Sequence, residues 1–325
     1  MKQYNTGFVL GKFCPLHKGH MLLIEQALDA CEIVYIVVDN IMDEVIPVAR
    51  RIQWVRQQFP SAVVLTQEHP LPQSPSETPM FWDIWHKTLL RLLPQPVDVV
   101  FASEHYGARL AKELTAEFVM VDLDRKAVPV SATRIRENLL NEWCYLSPVV
   151  QSDLRKVICI YGPESTGKTT LTRQLADYYH VPYVEEFAKQ VIDAKNGDIC
   201  LEDMTTIVKG HHKAIEDALK QNTALLFVDT DAIISKLWSN ELFGKEPSII
   251  EEYIGRQHFD YYLLLDVDLP WVNDTHRYRP KERDLFFCKC ERQLILRGKK
   301  YSVIRGADNQ RFINAKKCID SLMQL

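Results

Sequence analysis

The sequence predicts an α/β protein made of two doubly wound parallel-sheet domains, and three observations carry that reading. Short β-branched runs alternate with helical patterns, the order that builds parallel sheets covered by helices. Two glycine-bearing loops, Gly11 to His20 and Gly162 to Thr169, each follow an apolar run and open a helical pattern. Backbone amides and a helix dipole at such positions hold anions. The 325 residues also suffice for two cores of ordinary size.

In order, the first half reads as strand Phe8–Leu10, helix Met21–Cys31, strand Ile33–Val38, helix Val48–Phe59 and strand Ala62–Leu65. Helix Phe81–Leu93, strand Val97–Phe101, helix Tyr106–Ala116 and strand Phe118–Val121 continue the alternation. His69 to Pro79 is a proline-rich loop within this unit. Ser147 to Ser152 has the composition of a linker, which places the domains at 1–151 and 152–325. Beyond it come strand Val157–Tyr161, a helix from Lys168 to Tyr179, and a long helix over Leu201–Lys220. In the last, Met204, Ile207, Val208, His211, Ile215 and Leu219 recur at helical spacing. Leu225–Val228 and Tyr262–Leu265 read as buried parallel strands.

Net charge is −4 and the sequence pI about 6.2, so no global basic field favours nucleic acid. Local basic clusters are therefore read as sites for phosphate-bearing small molecules. The eight cysteines form no C-x-x-C pair, and Cys288-x-Cys290 is too sparse for a metal site. No apolar run approaches the ~20 residues of a membrane span, and a reducing cytoplasm is the expected compartment.

In the first loop, His17-x-x-His20 places two imidazoles at the amide-rich start of a helix, an arrangement suited to nucleotide phosphates. The string Gly11-x-Phe13-x-Pro15-x-His17-x-Gly19-His20 resembles the signature of the nucleotidyltransferase superfamily. Ser131-Ala132-Thr133-Arg134-Ile135-Arg136 resembles its second motif, S-x-T-x-x-R, and the resemblance implies that these hydroxyls and the arginine hold the triphosphate. Such chemistry needs no nucleophilic side chain: a substrate phosphate attacks the α-phosphorus of ATP, pyrophosphate leaves, and Mg²⁺ assists. His17, His20, Lys12 and Arg136 are the expected catalytic residues, with Gly11, Phe13, Gly19, Ser131 and Thr133 binding ATP. For Arg134 a solvated helix-face position competes.

Gly162-Pro163-Glu164-Ser165-Thr166-Gly167-Lys168-Thr169 is a full G-x-x-x-x-G-K-[ST] match between strand and helix. Its amides, together with Glu164, Ser165, Thr166 and Thr170, are expected to cradle ATP. Lys168 reaches the β- and γ-phosphates and Thr169 binds Mg²⁺. Val228-Asp229-Thr230-Asp231 ends an apolar strand, making Asp229 a candidate metal partner or base and Asp231 a candidate substrate contact. Glu185-Glu186-Phe187-Ala188-Lys189 follows a short strand on the same expected edge, where a charged helix start is the competing reading. Arg277 and Arg279, in the basic stretch after Trp271, are read as lid arginines over ATP, a solvated loop being the alternative.

Phe81-Trp82-Asp83-Ile84-Trp85 carries two indoles and a carboxylate that would stack on a cationic ring, or else serve as core. This segment looks like one in nicotinamide-mononucleotide adenylyltransferases of the bifunctional NadR type, as do Pro47 to Trp54 and Ser103-Glu104. The second half resembles the ribosylnicotinamide kinase domain of that family: the P-loop, E-F-A-K, V-D-T-D and P-W-V-x-D occur in its order. Cys14 and Lys189 depart from the family pattern, which has an aromatic and an arginine there. The resemblance implies phosphorylation of nicotinamide riboside to the mononucleotide (NMN), then adenylyl transfer giving NAD. Trp82, Asp83, Trp85, Glu186, Asp231 and Trp271 would be substrate-binding, and Mg²⁺ with ATP as co-substrate would complete the sites. A different acceptor in the same two domains, or a NAD- or ATP-sensing regulator with weak activity, are the alternatives. Expected partners are ATP, nicotinamide riboside, NMN and NAD, with a homo-oligomer compatible, and neither nucleic acid nor membrane. The first strand begins within about ten residues of Met1, so no N-terminal helix-turn-helix module is expected.

Overall fold

The structure, a computed structural model, describes residues 2–42, 44–270 and 282–324. The chain forms two compact units that meet in sequence at Leu154 and Arg155.

The first unit runs β1 (Tyr4–Gly11), α1 (Lys18–Ala30), β2 (Cys31–Val38), α2 (Val48–Gln58), β3 (Val63–Leu65) and α3 (Phe81–Leu92). It continues through β4 (Val99–Ala102), α4 (Tyr106–Leu114), β5 (Glu117–Met120), α5 (Ala132–Glu137) and α6 (Pro148–Leu154). The strands pair in parallel in the order β3-β2-β1-β4-β5. Val34 to Val38 of β2 and all of β4 are buried, so both faces of the sheet are covered by helices and both strands read as continuous apolar runs. The chain winds outward from β1 to β3, then crosses back to lay β4 on the other side of β1. That reversal opens a crevice at the carboxyl ends of β1 and β4, where such sheets bind ligands. The 147–152 stretch, expected as a linker, instead enters α6, whose Val150 and Leu154 are buried. Its Asp153 accepts from the indole Nε1 of Trp54 at 2.7 Å, which ties α6 to α2. Composition had hidden this helix because its polar residues face outward around only two buried side chains.

The second unit runs β6 (Lys156–Tyr161), α7 (Lys168–Tyr179), β7 (Tyr183–Val184), α8 (Phe187–Ala194), α9 (Leu201–Leu219) and β8 (Leu225–Asp229). It ends with α10 (Ala232–Phe243), α11 (Ile249–Arg256), β9 (Tyr261–Leu265), α12 (Arg283–Leu296), β10 (Tyr301–Ile304) and α13 (Asp308–Leu322). Its parallel order is β10-β9-β6-β8-β7. The register sets Ile160 of β6 opposite Asp229 of β8, so the phosphate loop leaves the sheet beside the Asp229 carboxylate. Met204, Ile207, Val208, His211 and Ile215 form the buried face of α9, as their spacing requires. Among the described residues no helix is long and apolar enough to cross a membrane.

Candidate functional site

Each unit carries one site at the carboxyl end of its first strand. In the first unit, His17 is the N-cap of α1. Its Nδ1 accepts from the amides of Gly19 at 3.1 Å and His20 at 3.4 Å, and His20 Nδ1 accepts from the His17 amide at 3.4 Å. The two rings stack with centroids 3.7 Å apart. The three-residue spacing is therefore a reciprocal capping box, with imidazoles in place of the usual hydroxyl and carboxylate. With each Nδ1 accepting, the proton of each neutral ring lies on Nε2, which leaves two donors. Burial, with Arg125 adding charge, pushes His17 down to about 4. Burial, then the His17 and Arg125 charges, holds His20 well below its ordinary value. The pair is neutral at pH 7.

Three side chains brace this loop. Arg136 of α5 donates to the Cys14 carbonyl at 2.5 Å and to Thr133 Oγ1 at 3.2 Å. Fully buried Arg51 donates to the carbonyls of Lys12, Asp39 and Ile46 and pairs with Glu44. Tyr106 donates to the Leu10 carbonyl at 2.9 Å. Ser131 is the N-cap of α5, accepting from the Arg134 amide, and Arg134 itself pairs with Glu142 at 2.7 Å. Lys12 is exposed and Gly11 and Gly19 are half-buried.

Phe13 corrects an expectation. The sequence expects an ATP contact, but Phe13 is fully buried and packs edge-on against His20 with the ring centroids 5.0 Å apart. Trp85 is a second correction: it lies in the core with Phe81 and Leu89 at 5% exposure, its Nε1 donating to the Pro72 carbonyl at 2.9 Å. Trp82 is half-buried beneath Arg109, whose guanidinium stands 5.6 Å over the indole. Asp83 is exposed in the first turn of α3, favourable to the helix dipole.

In the second unit the phosphate loop wraps from β6 into α7. Gly162 has φ 138° and Gly167 φ 83°; a Cβ on Gly162 would stand 3.0 Å from the Leu265 carbonyl oxygen, so only glycine fits. Thr166 is fully buried and donates to the Pro163 carbonyl at 2.8 Å, and Lys168 Nζ donates to the same oxygen at 2.9 Å. Thr169 donates to Asp229 Oδ2 at 2.6 Å and accepts from Lys189 Nζ at 2.9 Å. Asp229 Oδ1 is buried without a partner. Burial first, then the Glu186 charge, raises the Asp229 carboxyl, while Lys168, Thr169 and Lys189 oppose the shift.

A cavity of about 200 Å³ opens from this loop. Glu164, Ser165, Gly167, Lys168, Thr169 and Thr170 form its phosphate-loop side. Glu186, Lys189, His211, Thr230 and Trp238 line the remainder. Thr230 has φ 73°, left-handed and strained for a β-branched residue, and its buried Oγ1 has no partner. Its carbonyl lies 3.2 Å from His211 Nε2.

Asp231, expected as a substrate contact, is corrected by its partners. It caps α10, Oδ1 accepting from the Ile234 amide at 3.1 Å and Oδ2 from the Tyr262 hydroxyl at 3.1 Å, and it is 1% exposed. Burial pushes its carboxyl up to about 6. Glu185 pairs with Arg173 at 2.7 Å, leaving Glu186 as the cavity-facing carboxylate of the two. Lys189, whose role the sequence left open, and His211 and Thr230, which it had not singled out for the site, are the additions. His211 had read as a core position of α9, and only the packing of α9 against the end of β8 brings it here. Trp271, Arg277 and Arg279 lie outside the described residues.

A capped-histidine loop on one parallel sheet and a P-loop on another define a two-unit α/β protein with a loop-to-helix turn at the end of the first strand of each sheet. Residues 157–311 match a family model described as an AAA domain. The chain is 27% identical over 296 residues to the trifunctional NAD biosynthesis/regulator protein NadR of Salmonella typhimurium, across 85% of this chain and 72% of that protein. A solved NadR protein in complex with NAD and AMP-PNP shares the fold, with a TM-score of 0.58 and 24% identity over 100% of this chain and 98% of that one. A NadR protein in complex with NR gives a TM-score of 0.59 at the same identity and coverage. The chain is similar to the NadR proteins along most of its length.

Proposed function

We propose that this chain makes NAD in two consecutive ATP-dependent steps. The second unit, which starts at Arg155, phosphorylates nicotinamide riboside to NMN, and the first, up to Leu154, transfers the adenylyl group of ATP to NMN with release of pyrophosphate. The observation that carries this reading is the pairing of two complete phosphate sites, one per unit, with a cavity opening directly from the second. The NAD-biosynthetic name of the Salmonella relative and the ligands of the two NadR complexes support the choice of substrates.

In the kinase step the riboside's primary hydroxyl attacks the γ-phosphorus of ATP and ADP leaves. Glu186, a carboxylate on the cavity wall away from the phosphate loop, is placed to take the hydroxyl proton, and Lys168 and Lys189 to stabilise charge on the transferring group. The unpartnered Asp229 Oδ1 beside the Thr169 hydroxyl fits a divalent cation, and these two residues would hold Mg²⁺. When bound, that ion neutralises phosphate charge. In adenylyl transfer the NMN phosphate attacks the α-phosphorus directly. His17 and His20 contribute Nε2–H donors rather than a base, because both rings are neutral with Nδ1 engaged.

The test is incubation of the protein with ATP, Mg²⁺ and nicotinamide riboside, followed by chromatography. NMN and NAD should appear in sequence. Faster phosphorylation of uridine or cytidine would move the proposal to another acceptor.

A further inference from the structure

Arg311 is an arginine of α13 that lies outside the cavity and yet is only 3% exposed. Its guanidinium is fully occupied by backbone and one carboxylate. Nε donates to the Gly306 carbonyl at 3.0 Å, Nη1 to the Thr166 carbonyl, and Nη2 to the Asp266 carbonyl at 3.2 Å and to Asp268 Oδ1. Two strand ends and the phosphate loop thus meet at one cation: Gly306 follows β10, Asp266 and Asp268 follow β9, and Thr166 lies in the loop after β6.

The Thr166 contact has a chemical consequence. The Thr166–Gly167 peptide is trans, so its C=O and N–H point in opposite directions. A carbonyl held outward by Arg311 therefore aims the Gly167 N–H to the other side, and Gly167 lines the cavity. The neighbouring peptide repeats the device. Arg283 Nη1 donates to the Ser165 carbonyl at 3.4 Å and to the Leu269 carbonyl at 3.1 Å, which holds the Ser165–Thr166 peptide as well. Consecutive inward amides are what an anion-binding loop requires, and a flipped peptide would present an oxygen to the phosphate instead. The left-handed Gly167, φ 83°, is the residue where such a flip would meet least resistance.

We infer that Arg311 is a positioning residue for phosphoryl transfer: from behind the P-loop it fixes the Thr166–Gly167 peptide so that the Gly167 amide faces the triphosphate. The inference rests on the reading of this unit as an ATP-using kinase. Burying a cation here has a role beyond holding α13 down, since an apolar side chain would pack α13 without dictating a peptide's orientation.

The test compares wild type with Arg311→Lys, which keeps the charge but cannot span four acceptors, and with Asp268→Asn, which leaves the arginine and removes its anchoring carboxylate. KM for ATP, KM for riboside and kcat are measured in the full chain, with adenylyl transfer from supplied NMN as the control and thermal unfolding as the fold check. Arg311→Lys should raise KM for ATP about tenfold or more, in line with the loss of a charge-assisted phosphate contact. KM for riboside and the control activity should stay within about twofold. Asp268→Asn should move KM for ATP in the same direction by about threefold, and it decides alone should Arg311→Lys not fold. A merely structural arginine would reduce the folded fraction, lowering apparent kcat while leaving KM for ATP untouched, and that result would overturn the inference. So would an unchanged KM in both folded variants. Wild type that fails to use ATP on any riboside would instead overturn the kinase reading.

Discussion

Thr169 and Asp229, 60 residues apart in sequence, are joined by a 2.6 Å hydrogen bond at the mouth of the second site. The bond makes one unit of a helix N-terminus and a strand C-terminus, and it leaves the second Asp229 oxygen buried and unpartnered. That unpartnered oxygen beside the Thr169 hydroxyl would suit a divalent cation, whose charge would offset the upward push that burial gives this carboxyl. Asp229→Asn should therefore abolish phosphorylation of riboside and also remove the dependence of ATP binding on Mg²⁺. Calorimetric titration of ATP with and without Mg²⁺ checks this, and retained metal dependence would assign the oxygen another role.

The two sites should be separable. Lys168→Ala should stop phosphorylation of riboside while NAD still forms from supplied NMN, because only the P-loop uses that ammonium. His20→Ala should do the reverse, with NMN accumulating from riboside. Loss of one positioned phosphate ligand commonly lowers the rate by a factor of ~10²–10³, so chromatography of both products resolves the contrast. Loss of both activities in a folded variant would mean a shared nucleotide site.

Neutral capping histidines make the first unit acid-sensitive. Above pH 6.5 folded and unfolded chains both hold His17 neutral, and its contribution is fully present. Below 6.5 the unfolded chain takes a proton that the folded ring declines until about 4, so stability falls across that window. At 1.36 kcal/mol per unit the full loss is about 3 kcal/mol. His17→Asn keeps an N-cap acceptor and removes the titration, so its denaturation midpoint should decline less between pH 6.5 and 4 than that of wild type. Equal slopes for the two proteins would place the pH dependence elsewhere.

Asp231 distinguishes a cap from a substrate contact. Asn caps helices as well as Asp. Burial already raises the Asp231 carboxyl to about 6, so Asp231→Asn relieves an unfavourable buried charge. The variant should keep riboside phosphorylation within about threefold and melt no lower than wild type at pH 7. A rise in riboside KM of about a hundredfold would restore the substrate role.

The tryptophans of α3 should part company. Trp85→Ala removes a buried side chain and its bond to Pro72, for a destabilisation of roughly 3–5 kcal/mol. Trp82→Ala should leave stability nearly intact and raise the KM for NMN, as expected if its half-buried face meets the ring. Chemical denaturation together with adenylyl-transfer kinetics separates the two effects, and an unchanged KM would make both indoles scaffold.

Much of this molecule is legible along the chain because the relevant forces are local. Alternating apolar runs mark strands that are buried on both faces, and glycines at fixed offsets mark a loop that only they can trace. His17 and His20 sit three apart because a capping box spans one helical turn, and that spacing is visible without a fold. Where the deciding partner is distant, sequence pattern is silent. Asp229 and Asp231 are two residues apart at one strand end, yet the register with β6 hands the first to Thr169 and α10 claims the second as its cap. His211 follows the helical period of a core residue, and only the docking of α9 on β8 brings it to the cavity. Arg311 lies 145 residues from the carbonyl it holds. Sequence by itself determined the two sheets, the two phosphate loops and the class of ligand they suit. Tertiary structure alone decided which carboxylate faces the cavity and which arginines stand behind the loop, because hydrogen-bond partners are chosen by proximity in space and not along the chain.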